Sequence, residues 1–191
     1  MSDNLTTTTD HEKTETQTDA MEWYAVYCKS RHEKRVAEQL EEKGIDHYLP
    51  LRTEVRQWSD RKKKVSVPLF RSYIFVYIPK KMQIPVLESY GVVRFVKFRG
   101  ELIPIPPEQI EAVKTIEKYG VNLQPESVDF ELQDKVKVLA GPCKGLKGYL
   151  VHKHSEDRFL IEIDHMNLGA SVVINKEWLT RLDNDEDEDE V

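Results

Sequence analysis

The chain has 191 residues, of which 39% are hydrophobic and 32% charged, with a formal net charge of −6 and two cysteines. That length holds one or two domains. No run approaches the ~20 apolar residues that span a bilayer, no basic start with an apolar core behind it marks a leader, and two cysteines build neither a disulfide framework nor a repeated metal spacing, so the expectation is a soluble, cytoplasmic protein without membrane attachment, metal or cofactor.

The charge is unevenly spread. Residues 1–22 hold six acids and one base and residues 183–191 hold seven acids, −12 between them, which leaves residues 23–182 at +6. Both ends lack the apolar residues that would offset their ordering entropy and read as disordered tails. The basic body between them is suited to face phosphate.

Residues 23–28, Trp-Tyr-Ala-Val-Tyr-Cys, have the aromatic and β-branched composition of a half-buried strand. Ser30-Arg31-His32-Glu33 has the form of a capping box. Val36, Ala37 and Leu40 follow as a narrow apolar stripe, Lys43 sits in the last turn and Gly44 suits a left-handed stop, so a helix is predicted between them. Residues 45–51 read as a short strand ended by Pro50. Residues 52–64 carry six basic and two acidic side chains around a Ser-Asp-Arg-Lys tip, the pattern of a basic hairpin. It feeds residues 68–78, whose second half is unbroken aromatic and β-branched residue and reads as a central strand. Pro79 stops that strand. A short helix near Pro85 is expected to cover Val86, Leu87 and Tyr90 before Gly91, residues 92–98 form a strand, and Pro106-Pro107-Glu108 opens a helix that buries Ile110, Val113 and Ile116. Residues 120–133 have little periodicity and read as a linker.

From Asp134 the pattern changes to short strands only, at 135–138, 149–151, 159–164, 170–174 and 178–182, with a glycine-punctuated turn at 141–148. Strands this short and numerous suggest a small closed barrel. The fold class is therefore α+β: a mainly antiparallel sheet with packed helices over 23–119, a linker over 120–133, and a β-barrel over 134–182.

Three stretches of the first domain resemble the N-terminal domain of NusG-family transcription elongation factors: residues 23–29, the block Val67-Pro68-Leu69-Phe70-Arg71-Ser72-Tyr73-Ile74-Phe75-Val76, and Gly91-Val92-Val93-Arg94-Phe95-Val96. The turn Gly141-Pro142-Cys143-Lys144-Gly145-Leu146-Lys147-Gly148 resembles the KOW motif that follows that domain, within an SH3-like barrel. The Trp-Ser-Asp-Arg-Lys hairpin and the Pro-Leu-Phe lead-in are most similar to the specialised paralogues, RfaH and the UpxY antiterminators of capsular polysaccharide operons. Two positions depart from the pattern: Arg71-Ser72 stands where the family commonly has Pro-Gly or Pro-Asn, and Gln133-Asp134 where the barrel usually opens with Gly-Asp.

The resemblance implies a monomeric, non-enzymatic factor that docks an apolar patch on the clamp helices of RNA polymerase and suppresses pausing or termination. Position by position that patch includes Tyr27, Phe70, Tyr73 and Phe75, and clustered aromatics are what dominate protein interfaces. Arg56, Arg61, Lys62, Lys63 and Lys64 can neutralise phosphates of the non-template DNA strand or the upstream duplex, with Trp58 placed to stack on an unpaired base. In the barrel, Gly141, Pro142, Gly145 and Gly148 form the KOW turn. Phe159, Met166 and Leu168 resemble the patch by which such barrels contact ribosomal protein or termination factor. The competing reading is a ribosome- or RNA-binding KOW protein whose basic hairpin grips structured RNA. Catalysis finds no support: Cys28 and His32 lack an orienting third group, His152 and His154 lack further metal-ligating partners, and no phosphate-cradling loop or nucleophile elbow occurs.

Overall fold

The computed structural model describes residues 20–58, 60–119, 121–127, 134–153 and 156–182, with the backbone alone for Val121, Ser127 and Lys153. The expected disordered tails, apart from residues 20–22, together with Ser59 at the hairpin tip and His154, lie outside them. The chain divides into two compact units, one formed by residues up to Tyr48 with Ser72–Pro104, the other by Leu49–Arg71 with residues from Ile105 onward.

In the first unit, β1 (Met21–Cys28), β2 (His47–Tyr48), β5 (Tyr73–Pro79) and β6 (Val92–Phe95) make one antiparallel sheet in the order β2-β5-β1-β6. The strand expected to be central is indeed interior. Alternation assigns its two faces. Tyr24, Val26 and Cys28 of β1 and Ile74, Val76 and Ile78 of β5 are all buried, as are Val36 and Leu40 of α1 (Glu33–Glu42) and Val86 of α2 (Gln83–Leu87). Tyr24 meets Phe95 edge-on in this layer, with ring centroids 6.4 Å apart. The strand expected over 92–98 stops at Phe95. Phe98 and Glu101 exchange two backbone hydrogen bonds of 3.0 Å around Arg99 and Gly100, whose φ values of +52° and +88° turn the chain back on itself.

The helix α1 lies where the sequence places it and ends at Gly44, which takes a φ of +65°. Its start differs from the capping box. The N-cap position is His32 and makes no side-chain cap bond. Glu33 instead accepts a 2.7 Å hydrogen bond from the buried amide of Ser72, 39 residues away in sequence. Ser72 has a φ of +67°, the left-handed conformation that favours glycine or asparagine. The Arg71-Ser72 departure therefore keeps the shape of a glycine turn, with Glu33 holding it in place.

The second unit carries the hairpin β3 (Leu51–Gln57) and β4 (Lys62–Pro68), the helix α3 (Pro107–Tyr119), and a six-stranded antiparallel sheet. The helix α3 buries Ile110, Ala112, Val113 and Ile116, and its Glu117 accepts the Leu51 amide at the hairpin base (2.9 Å). The sheet runs in the order β12-β8-β9-β10-β11-β7, built from β7 (Val121–Ser127), β8 (Lys135–Val138), β9 (Lys147–Lys153), β10 (Glu156–Ile163), β11 (Leu168–Val173) and β12 (Leu179–Arg181). Phe159, Leu160, Ile163 and Ala170 are fully buried within it. The sequence reads 120–133 as linker, yet β7 occupies half of that span and pairs with β11, Glu126 lying opposite Gly169. Its order comes from a tertiary partner rather than from any pattern of its own.

Candidate functional site: an aromatic sheet face

One face of the first unit's sheet is built from aromatic side chains. On β5, Tyr73, Phe75 and Tyr77 alternate with the buried aliphatic residues, and the register sets them opposite Tyr27, Ala25 and Trp23 of β1. Tyr27 and Tyr73 meet edge-on with ring centroids 5.4 Å apart, Trp23 and Tyr77 lie at 5.1 Å, and Tyr48 of β2 stacks on Phe75 at 6.3 Å. Such cross-strand aromatic pairs stiffen the face they form. The Arg94 guanidinium sits 5.4 Å from the centroid of Tyr27, a cation–π contact at the rim.

Of the four residues singled out for this patch, Tyr27 and Tyr73 are half-buried, in contact with each other, and present edge area. Phe75 shares their face but is fully buried at its centre. Phe70 belongs to the second unit and is 2% exposed, lining a cavity of about 320 Å³ with Arg52, Leu69, Pro125 and Leu168.

A second feature escaped the sequence. Tyr90, expected on the buried side of a helix, is 55% exposed and lies beyond the end of α2, and Leu87 at the helix's last position is exposed as well. Its backbone is clamped by Gln39 of α1, whose side chain accepts from the Tyr90 amide at 2.8 Å and donates to the Tyr90 carbonyl at 3.0 Å. Gly91, with a φ of +104°, leaves no room for a Cβ beside His32, so the turn is pressed against the start of α1. The ring then carries Arg35 at 4.7 Å and Lys29 at 5.5 Å, with His32 at 5.7 Å. An exposed aromatic flanked by two cations suits a stacked base with its phosphate. The available signal was the density of cations at Lys29, Arg31, Lys34 and Arg35; what placed Tyr90 among them is a contact 51 residues long.

The hairpin presents its bases outward. Arg56, Arg61, Lys62, Lys63 and Lys64 are exposed, and Trp58 is 58% exposed with its amide bonded to the Arg61 carbonyl at 2.8 Å. Arg56 stands directly opposite Lys63, a like-charge pair that weakens the hairpin by itself. Glu54 offsets part of this, 3.3 Å from Arg56 and bonded also to Arg52, while Asp60 lies 3.9 Å from Arg61.

In the second unit, Gly141 and Gly145 take φ values of +78° and +93°, and the Gly145 amide bonds back to Val138 (2.8 Å); Pro142 is exposed on the same turn. Gly148 is packed so that a Cβ would strike the Leu160 carbonyl and approach the Phe159 ring to 2.8 Å. Phe159 is core, whereas Met166 and Leu168 are half-buried. Burial pushes the Cys28 thiol up to about 12, with Glu33 adding to the effect, and raises Cys143 as well. His152 is exposed and bonded to Asp157 at 3.0 Å. Among the described residues no helix is long and apolar enough to cross a membrane, and no group of three or more His, Cys, Asp or Glu is placed to hold a metal.

The described residues thus combine an α+β part with an all-antiparallel β region and carry aromatic and basic surfaces. Residues 21–114 match the family model described as transcription termination factor nusG. The chain is 27% identical over 167 residues to the transcription termination/antitermination protein NusG of Bacillus subtilis (strain 168), covering 80% of this chain and 88% of that protein. Among solved structures it is similar to Thermotoga maritima NusG (TM-score 0.49, 19% identity, covering 85% of this chain and 98% of that one). It is also similar to the MjSpt4:Spt5 complex (TM-score 0.30, 19% identity, covering 84% and 97%). Over residues 21–114, and more weakly along most of its length, the chain is thus similar to the NusG transcription termination/antitermination factors.

Proposed function

We propose that this chain is a specialised member of the family that docks the aromatic sheet face of its N-terminal domain on the clamp helices of RNA polymerase and suppresses pausing or termination on particular operons, of the capsular polysaccharide type. The observation that carries the reading is the Tyr27–Tyr73 pair at 5.4 Å with Arg94 at its rim: a stiff, half-exposed aromatic surface loses little side-chain entropy on binding. Phe75 shares that face, buried at its centre, and Phe70 stands just before the turn that leads into it. The hairpin bases with Trp58 and the Lys29–Arg35–Tyr90 cluster are two surfaces of the right chemistry for non-template or upstream DNA. The C-terminal sheet region, through the half-buried Met166 and Leu168, is the part suited to a ribosomal protein or termination factor. The restriction to capsular operons rests on the likeness of the hairpin and the Pro-Leu-Phe lead-in to the specialised paralogues. The protein acts in the cytoplasm, as a monomer.

Affinity co-purification with core RNA polymerase at two salt concentrations tests this. The full chain is expected to retain polymerase at both, Tyr27→Ala/Tyr73→Ala to lose it at both, and replacement of Lys62, Lys63 and Lys64 by Gln to leave it nearly intact. Retention that survives the tyrosine pair, falls steeply with salt and disappears with the three lysines would replace this reading by the RNA-binding one.

A further inference from the structure

β7 is poorly suited to be a strand and is nonetheless held as one. Pro125 cannot donate to a ladder, Asn122 has a φ of +54°, and the pairing register slips between Ser171 and Val173. What fastens it is polar and buried. Arg158 of β10, 4% exposed, donates from Nη2 to the Asn122 carbonyl (2.6 Å) and from Nε to the Ser171 hydroxyl (2.9 Å). That hydroxyl in turn donates to Glu126 (2.8 Å), whose carboxylate lies 3.9 Å from the Arg158 Nε. A guanidinium buried in this sheet needs a carboxylate beside it; Glu156 of its own strand lies 3.3 Å from Nη1 but is exposed, and β7 supplies the buried one. β10 and β11 thus offer an edge that selects for two properties: an extended backbone to complete the ladder, and one carboxylate at the position facing Gly169.

We propose that this edge is a binding site for an extended segment of a partner protein carrying a carboxylate at the register of Glu126, and that β7 fills it in cis until such a segment displaces it. Strand addition of this kind draws its affinity from backbone hydrogen bonds and its specificity from a side-chain site. Here the side-chain site is Arg158 with Ser171. Exchange leaves the buried ion pair and the ladder intact, so a partner strand needs only a small advantage. The inference stands apart from the docking of the aromatic sheet face and is tested without polymerase.

The test uses the full chain carrying Glu126→Gln and two fluorescent capped peptides, residues 121–127 and the same peptide with Gln in place of Glu126. The Glu peptide should bind this variant about tenfold or more tightly than the Gln peptide, and wild type should bind the Glu peptide about tenfold more weakly than the variant does, because its own β7 holds the site. Adding Arg158→Met should abolish the preference. Equal affinities, or no binding of either peptide by a variant whose circular dichroism matches wild type, overturn the proposal. Should Glu126→Gln not fold, hydrogen exchange on wild type decides: β7 amides exchanging about tenfold faster than those of β9 and β10 support it, and exchange in step with them overturns it. A concentration-dependent dimer of the variant would assign the edge to a second copy and overturn the partner strand.

Discussion

Truncating Glu33 should damage the molecule far more than loss of an acidic helix residue ordinarily does. Its carboxylate is 4% exposed and accepts the Ser72 amide at 2.7 Å, and Ser72 itself is 9% exposed. Glu33→Ala leaves that amide buried without a partner, at a cost of about 1–3 kcal/mol. The turn has no reserve, because a non-glycine residue at a φ of +67° already opposes it by roughly 1–2 kcal/mol. The effect reaches the aromatic face, since the Ser72 carbonyl accepts the Cys28 amide (2.7 Å) and the next residue, Tyr73, pairs with Tyr27. Equilibrium urea unfolding should place Glu33→Ala about 2 kcal/mol below wild type, with Glu33→Gln, which keeps an acceptor, losing less. Ser72→Gly should be neutral or up to ~1 kcal/mol stabilising, relief of the left-handed conformation outweighing the ~0.5–1 kcal/mol entropy of glycine. A Glu33→Ala variant within ~0.5 kcal/mol of wild type would refute the clamp.

Three further outcomes are expected. Gly148→Ala should lower the melting temperature sharply, equivalent to about 1–3 kcal/mol, because its Cβ meets the Leu160 backbone and the Phe159 ring; an unchanged melting curve would mean that the turn packs differently. Cys28, buried with its thiol held up at about 12, should stay unreactive toward a disulfide reagent at pH 8 in the native protein and react once unfolded, whereas prompt native reaction would contradict its place in the sheet. Glu162, whose carboxyl is raised by partial burial and by the nearby charge of Asp164, binds its proton more tightly folded than unfolded. Its contribution is therefore favourable in acid and lost as pH rises through the folded value, so Glu162→Gln should raise the melting temperature at pH 7 and not at pH 4. A gain of equal size at both pH values would refute that assignment.

How much could be seen in advance depended on whether the cause was local. The central strand, α1 and α3 were readable because an unbroken aromatic and β-branched run, an apolar stripe ending in glycine, and a proline-acid start each act over a few residues. The capping box was misread because the Glu33 carboxylate, free to reach either its own helix end or a distant amide, is committed to Ser72. β7 had no signal, since a strand containing proline forms there only because β11 offers an edge and Arg158 a charge. The aromatic residues of the candidate patch were visible as types but not as surfaces. Composition does not distinguish Tyr73, half-buried, from Phe75, enclosed on the same face, nor does it reveal Tyr90, which is brought beside Lys29 and Arg35 by a turn pinned to Gln39.

The central claim is that the Tyr27–Tyr73 surface engages RNA polymerase and thereby shortens pausing. Its most direct test is single-round transcription with core enzyme on a template containing a strong pause, with pause lifetimes measured with and without the full chain. The account predicts that wild type shortens the lifetime, that Tyr27→Ala/Tyr73→Ala does not, and that a variant lacking only the hairpin lysines retains the effect at saturating protein. An unchanged lifetime with wild type, or equal shortening by the tyrosine variant, would contradict it.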